Sequence, residues 1–287
     1  MRFARPDDFR LPDLRFVPSG ALVPHERHDS QRMEPLVERL REQGVLKNPP
    51  IVTPLTDGED GAQRFMVLDG ANRATAVRAA GFPHVLVQVA RYEEPWVQLL
   101  TWDHAISGMP ATALLDACQK LPGMALAEEP LLHAQAELAR RQILAYALLE
   151  DGRAITFSGG GSLERNNELL NRIVDAYRER HRFYRMSTNS MAVVKERHPD
   201  ATALVVFPHL EPAEVMELAE SGSKLPAGIT RHLIRWRALR INVPIAKMMD
   251  SAESLDAKNA WLAAMIASKW DMREVRYYEE PTVMFDE

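Results

Sequence analysis

Four short stretches of this sequence bring together side chains that could do chemistry. The first, Pro24-His25-Glu26-Arg27-His28-Asp29, packs two imidazoles and two carboxylates into six residues. On an extended chain, alternation puts His25 on one side with Arg27 and Glu26 on the other with His28, so no obvious metal-ligand set forms. Glu26 could serve as a general base if it faces a site. A polar loop ahead of a helix is the bland alternative. The second stretch, Leu68-Asp69-Gly70-Ala71-Asn72-Arg73, lies where the apolar run Phe65–Leu68 gives way to a helical pattern. Gly70 lets backbone approach a ligand, the amides of Gly70, Ala71, Asn72 and Arg73 would open a helix N-terminus that favours an anion, and Arg73 could grip phosphate oxygens. Alternatively, Asp69 caps the helix and Gly70 simply turns the chain. The long glycine loop and the Lys-Ser/Thr pair of a P-loop are not present here.

The third stretch, Thr101-Trp102-Asp103-His104-Ala105, could line a small polar pocket, or could be a core tryptophan with surface neighbours. In the fourth, Pro226-Ala227-Gly228-Ile229-Thr230-Arg231-His232, a hydroxyl, a guanidinium and an imidazole follow a flexible glycine. Thr230, Arg231 and His232 offer the donors that a carboxylate needs, unless the segment is a solvated turn.

The elements that must position these groups alternate in type. Extended segments are expected around Leu14–Val17 and Ala21–Val23, then a helix containing Leu36, Val37 and Leu40 that starts near Pro35 and ends at Gly44. Extended segments at 49–55 and 64–69, a helix from Asn72 and a mostly buried strand with Val85, Val87 and Val89 complete an α+β unit with a mixed sheet. Tyr92 to Pro130 reads as an irregular connector turning helical at Ala111. A second α+β unit follows. Asp151-Gly152 marks a hairpin, and Ser162 caps an amphipathic helix with Leu169, Leu170, Ile173, Val174 and Tyr177 on one side. A strand at 203–208, a helix at 211–222, a polar turn at 223–232, an extended 238–245 and a last helix at 255–270 complete it. The division is placed at residues 1–110 and 111–287.

Composition narrows the function classes. The 287 residues are 46% hydrophobic and 26% charged, as in an ordinary globular protein. A net charge of -5, from 35 basic and 40 acidic residues, argues against broad binding to nucleic acid or anionic membrane. One cysteine, Cys118, leaves no intramolecular disulfide and fits a reducing cytoplasm. The charged N-terminus does not read as a secretory signal, and no run reaches the apolar length of a membrane span.

Taken together, "LVPHE", "LREQGVLKNPPIV", "RFMVLDGANRATAVRAAG" and "VLVQVARY" resemble the N-terminal domain of the ParB and sulfiredoxin superfamily over residues 11–95. Sulfiredoxins carry their catalytic cysteine in the loop that here reads Gly70-Ala71-Asn72-Arg73, and Ala71 has no thiol. Chromosome-segregation ParB proteins have an arginine-rich loop and a helix-turn-helix domain; this loop has one arginine, and an α+β half follows it. The chain looks most like the third branch, the free serine kinases of siderophore synthesis and of archaea, over nearly its whole length. That resemblance implies transfer of a phosphoryl group from ATP or ADP, with Mg²⁺, to free L-serine, giving O-phospho-L-serine. It implies Glu26 as general base and Asp69, Gly70, Ala71, Asn72 and Arg73 around the nucleotide phosphates, with Asp69 also a candidate catalytic or metal-holding group. Trp102, His104, Thr230, Arg231 and His232 would form the amino-acid site in a cleft between the two domains. The rival is a non-catalytic ParB-like nucleotide-binding or DNA-associated regulator, which needs no base at Glu26. Donor, metal ligands and oligomeric state stay open.

Overall fold

The computed structural model describes residues 11–27, 42, 44–58 and 61–278. The helix expected between Pro35 and Gly44, together with His28 and Asp29, falls outside them apart from Glu42 and Gly44. The first sheet has five strands in the order β1-β6-β4-β5-β2. They are β1 (Asp13–Pro18), β2 (Leu22–Pro24), β4 (Ile51–Pro54), β5 (Phe65–Asp69) and β6 (His84–Val89), while β3 (Val45–Leu46) stands apart. The sheet is mixed, as its pattern predicts: β2 runs parallel to β5, and β1 antiparallel to β6. The helix α1 (Ala71–Ala79) packs on one face through Ala74, Ala76 and Val77.

Alternation along β5 explains why its apolar run is continuous. Phe65 and Val67 enter the core shared with α1, whereas Met66 and Leu68 enter a second core on the opposite face. A strand covered on both sides has no polar side to show. The second core belongs largely to a six-stranded antiparallel sheet, ordered β12-β8-β13-β10-β11-β9. Its strands are β8 (Asp103–Ser107), β9 (Ala125–Glu129), β10 (Ala145–Leu149), β11 (Ala154–Ser158), β12 (Arg182–Met186) and β13 (Ala201–Val206). The helices α2 (Ala111–Gln119), α3 (Leu131–Ala139), α4 (Leu163–Arg178), α5 (Met191–Arg197) and α6 (Pro212–Glu220) accompany it. The Asp151-Gly152 hairpin joins β10 to β11, and the Ser162 hydroxyl accepts from the Arg165 amide at the start of α4, both as read from sequence.

Two expectations need correction. The connector from Tyr92 contains strands, β7 (Val97–Thr101) and β8, and the supposed turn at 223–232 runs into β14 (Thr230–Ile234). β7 and β14 pair only with each other, Thr101 opposite Thr230, so each half looks structureless until its distant partner is in place.

Sheet membership also departs from chain order. Asp103–Ser107 lies in the second sheet. At the other end, β15 (Val243–Pro244), α7 (Ile245–Met249) and α8 (Leu255–Asp271) return to the first core, β15 pairing with β3. The Asn259 side chain covers the free edge of β1, accepting from the Phe16 amide at 2.7 Å and donating to the Phe16 carbonyl at 3.2 Å. Asn259→Leu leaves both backbone groups unpaired and is expected to cost about 1–3 kcal/mol in urea unfolding.

Candidate active site

Because β2 and β5 are parallel neighbours, with Pro24 opposite Val67, both leave the sheet at the same edge. That brings the stretch after β2 and the stretch after β5 side by side. Beyond Pro24 the chain bridges to Leu225: Leu225 N donates to His25 O at 2.8 Å, and Arg27 N to Leu225 O at 2.9 Å. Glu26 is thereby aimed at the loop before β14. Its Oε2 accepts from Gly228 N at 2.8 Å, and its Oε1 accepts from Thr230 N at 2.7 Å and from the Thr230 hydroxyl. An ionised carboxylate has about four acceptor directions, so three are taken and one on Oε2 remains. The side chain is only 15% exposed.

At the second stretch, Gly70 is the residue before α1, with φ 83°. A Cβ there would lie 3.1 Å from Pro50 Cα and 3.1 Å from the Arg73 guanidinium, so a side chain would be strained by the conformation and tightly crowded. The helix carries no side-chain cap, which corrects the capping alternative. Asp69 instead accepts from Arg237 and lies 3.7 Å from Arg73, whose Nη1 donates to Asn48 O at 2.5 Å. Burial pushes the Asp69 pKa up, but Arg237 and Arg73 outweigh it, and the carboxyl titrates below its ordinary value.

Arg237 was not singled out by the sequence reading. It sits in a loop after β14 that is pinned from both sides: Gln88 donates to Trp236 O at 2.9 Å and accepts from Ala238 N at 2.8 Å, while Asn48 accepts from Arg240 N at 3.0 Å. The one available signal was the density of arginines 231, 235, 237 and 240 in an acidic chain.

The amino-acid group divides into residues at the surface of the site and residues beneath it. Arg231 lays its guanidinium over the Trp102 ring at 4.3 Å, and the backbone of Trp102 donates to Ile229 O at 2.8 Å. Thr230 reaches both Glu26 and His25, whose Nε2 is 2.8 Å from the Thr230 hydroxyl. His232 meets the Tyr92 hydroxyl at 2.7 Å and the His25 ring edge-on at 5.4 Å. Burial, and then the neighbouring His25, bring its pKa to about 3. His104 is not presented to a ligand: it is wholly buried, and both ring nitrogens are engaged, Nδ1 with the Tyr177 hydroxyl at 2.6 Å and Nε2 with Gly228 O at 3.0 Å. Burial holds it neutral, with a pKa of about 3. Its place is under the loop that grips Glu26. Asp103 receives Phe207 N at 3.1 Å, and burial raises its carboxyl to about 7. Cys118 is buried in the second core, with its thiol pushed up to about 12, and can supply no nucleophile.

Among the described residues no group of three or more His, Cys, Asp or Glu side chains could hold a metal ion, and no helix is long and apolar enough to cross a membrane.

The fold is that of solved free serine kinases. A glutamate-to-alanine variant of free serine kinase, solved with AMP, matches with a TM-score of 0.70 at 18% identity, over 83% of this chain and 95% of that one. Among sequence relatives, the ATP-dependent L-serine kinase of Staphylothermus marinus is 37% identical over 87 residues, covering 30% of this chain and 33% of the relative. The chain thus matches about a third of that protein's length. The ATP-dependent L-serine kinase SbnI of Staphylococcus aureus is 23% identical over 258 residues, 89% of this chain and 92% of the relative. The ADP-dependent L-serine kinase SerK of Thermococcus kodakarensis is 22% identical over 82% of this chain and 93% of its own. No family model matches the chain.

Removing Arg237 leaves the effect of burial on Asp69 less opposed. Arg237→Gln is therefore expected to raise the Asp69 pKa, followed by carboxyl NMR titration. A depressed folded-state pKa contributes stability above the unfolded-state pKa that is lost as pH falls through the folded one, so the variant loses less stability on acidification than the parent.

Proposed function

We propose that this protein is a free L-serine kinase that transfers the terminal phosphoryl group of ATP or ADP to L-serine, yielding O-phospho-L-serine. The observation that carries the reading is the Glu26 carboxylate, fixed by three donors with one acceptor direction left, at the same sheet edge as an uncapped helix N-terminus flanked by two arginines. The relatives named for this activity, one of them aligned over 89% of the chain, support it. In this reading residues 1–110 form a ParB/sulfiredoxin-like nucleotide-binding domain, residues 111–287 complete the substrate site in the cleft between them, and the enzyme is cytoplasmic.

Each group has a task. The amides of Gly70, Ala71, Asn72 and Arg73 receive the phosphates, where the helix dipole favours negative charge. Arg73 and Arg237 neutralise charge on the transferred group and the departing nucleotide, and Asp69 holds the two guanidiniums together. Arg231, braced on Trp102, takes the serine carboxylate. The serine oxygen attacks the terminal phosphorus in line as the bond to the bridging oxygen breaks, and Glu26 Oε2 takes the hydroxyl proton. Asp69, the only carboxylate offered at the phosphate loop among the described residues, is already engaged by arginines, so its present contacts do not form a ready metal site. Mg²⁺ would therefore be held by the nucleotide rather than by a set of side chains of this chain, and would supply further charge neutralisation at the phosphates.

Incubating the protein with L-serine, Mg²⁺ and either ATP or ADP is expected to give phosphoserine by mass spectrometry. A protein that binds nucleotide but forms none with either donor is instead a nucleotide-binding regulator. Glu26→Gln is expected to lower kcat by about 10²-fold or more while nucleotide binding is retained.

A further inference from the structure

His25 belongs to none of the tasks above, yet it is 4% exposed and both of its ring nitrogens have partners at the base. Its Nδ1 lies 2.5 Å from the Val67 carbonyl, which can only accept, so Nδ1 carries a proton. In the neutral ring Nε2 is then an acceptor, and the Thr230 hydroxyl 2.8 Å away is the donor within its reach. The same hydroxyl donates to Glu26 Oε1. One hydroxyl proton cannot serve two acceptors. While Glu26 is ionised its charged oxygen is the stronger acceptor, and Nε2 goes without a donor. The reaction proposed above shifts that balance when Glu26 deprotonates serine.

We propose that Glu26, the Thr230 hydroxyl and His25 form a hydrogen-bond relay through which His25 raises the proton affinity of the base. As Glu26 Oε2 takes the proton of the acceptor hydroxyl, Oε1 becomes an uncharged carbonyl oxygen and a weaker acceptor, and the Thr230 hydroxyl turns from Oε1 to His25 Nε2; the O–H bond of Thr230 stays intact throughout, and the imidazole stays neutral. His25 Nε2 and Glu26 Oε1 are 4.0 Å apart, too far for a direct hydrogen bond, and Thr230 Oγ1 bridges them. The hydroxyl turns back to Oε1 once Oε2 gives up its proton. His25 is thus a positioning residue acting through Thr230.

The surroundings suit the task. Burial lowers the His25 pKa, opposed by Glu26 and by the bond to Val67, so the Nε2 lone pair is free at rest. The other titratable neighbours are His232 on β14, neutral and backed by the Tyr92 hydroxyl, and beyond it Asp69, already paired with arginines. None competes for the proton of the Thr230 hydroxyl.

The inference rests on the kinase reading, and the experiment separates the two. His25→Asn keeps a donor for Val67 O but cannot reach Thr230. It is expected to lower kcat about 10-fold, a fraction of what general-base catalysis supplies, with KM for serine and nucleotide within about two-fold of the parent. Without Nε2 to receive the Thr230 hydroxyl, the protonated form of Glu26 is favoured less, so the acid limb of the kcat profile should also move to lower pH in the variant. Thr230→Val should lose as much, Thr230→Ser should retain activity, and the His25→Asn/Thr230→Val double variant should fall no further than either single one. If His25→Asn does not fold, the contrast of Val with Ser at 230 decides. A parent protein that makes no phosphoserine overturns the kinase reading and the relay with it. Phosphoserine from the parent alongside unchanged turnover and acid limb in His25→Asn, additive losses, or an active Thr230→Val overturns the relay alone.

Discussion

The carboxylate of Glu26, held by the amides of Gly228 and Thr230, is the contact on which the site's geometry depends. It ties the end of a strand in the first sheet to a stretch that belongs, by chain order, to the other half. From Leu225 to Arg240 that stretch bridges His25 and Arg27, grips Glu26, pairs with β7, and comes back to Gln88, Asn48 and Asp69. A largely buried carboxylate left without donors would be costly, and so would the amides left without an acceptor. The contact is therefore favourable only when both partners are in register, and it aligns Glu26 with the loop before α1.

The support beneath it has the same all-or-none character. Gly228 is used on both sides: its N–H serves Glu26, and its carbonyl accepts from His104 Nε2. That carbonyl fixes the His104 tautomer, which leaves Nδ1 to accept from the Tyr177 hydroxyl on α4. A helix of the second unit thus reaches Glu26 through three hydrogen bonds, the His104 ring and the Gly228 backbone. Gly228 has φ 78°, a left-handed conformation that favours glycine, and a Cβ there would displace the Arg185 guanidinium. A buried histidine with a depressed pKa is often a catalytic candidate. Here the same shift accompanies a structural histidine, and the engaged nitrogens distinguish the two cases.

What the sequence made legible follows from the range of the interactions involved. The β5-Gly70-α1 corner, the Asp151-Gly152 hairpin and the Ser162-capped helix are each determined within a few residues, by periodicity, left-handed glycine or a capping hydroxyl, and each was readable. The β7-β14 pair joins residues about 130 apart, and neither strand is apolar enough to announce itself. The return of α7 and α8 to the first core had no local mark either, because an apolar helix face does not say which sheet it will cover. Residue types were read more easily than their orientation. His104 and Thr230 were both chosen as polar groups for a ligand, yet one points into the core and the other at the base.

The arginines show how far a local count can mislead. One arginine in the 69–73 loop set this chain apart from ParB proteins with their arginine-rich loop, and along the sequence that difference is real. In space, Asp69 is flanked by Arg73 and Arg237, the second brought from 168 residues away by a loop clamped on Gln88. Arg231 adds a third cation on Trp102. A net charge of -5 does not describe such a place, since what a phosphate meets is the field of the groups within a few ångströms, little screened where water is partly excluded. The carboxylate between the two guanidiniums limits their repulsion and holds them beside the uncapped helix end. On the proposed function, that explains why an aspartate, which by its charge should repel phosphate, stands beside the loop assigned to the nucleotide.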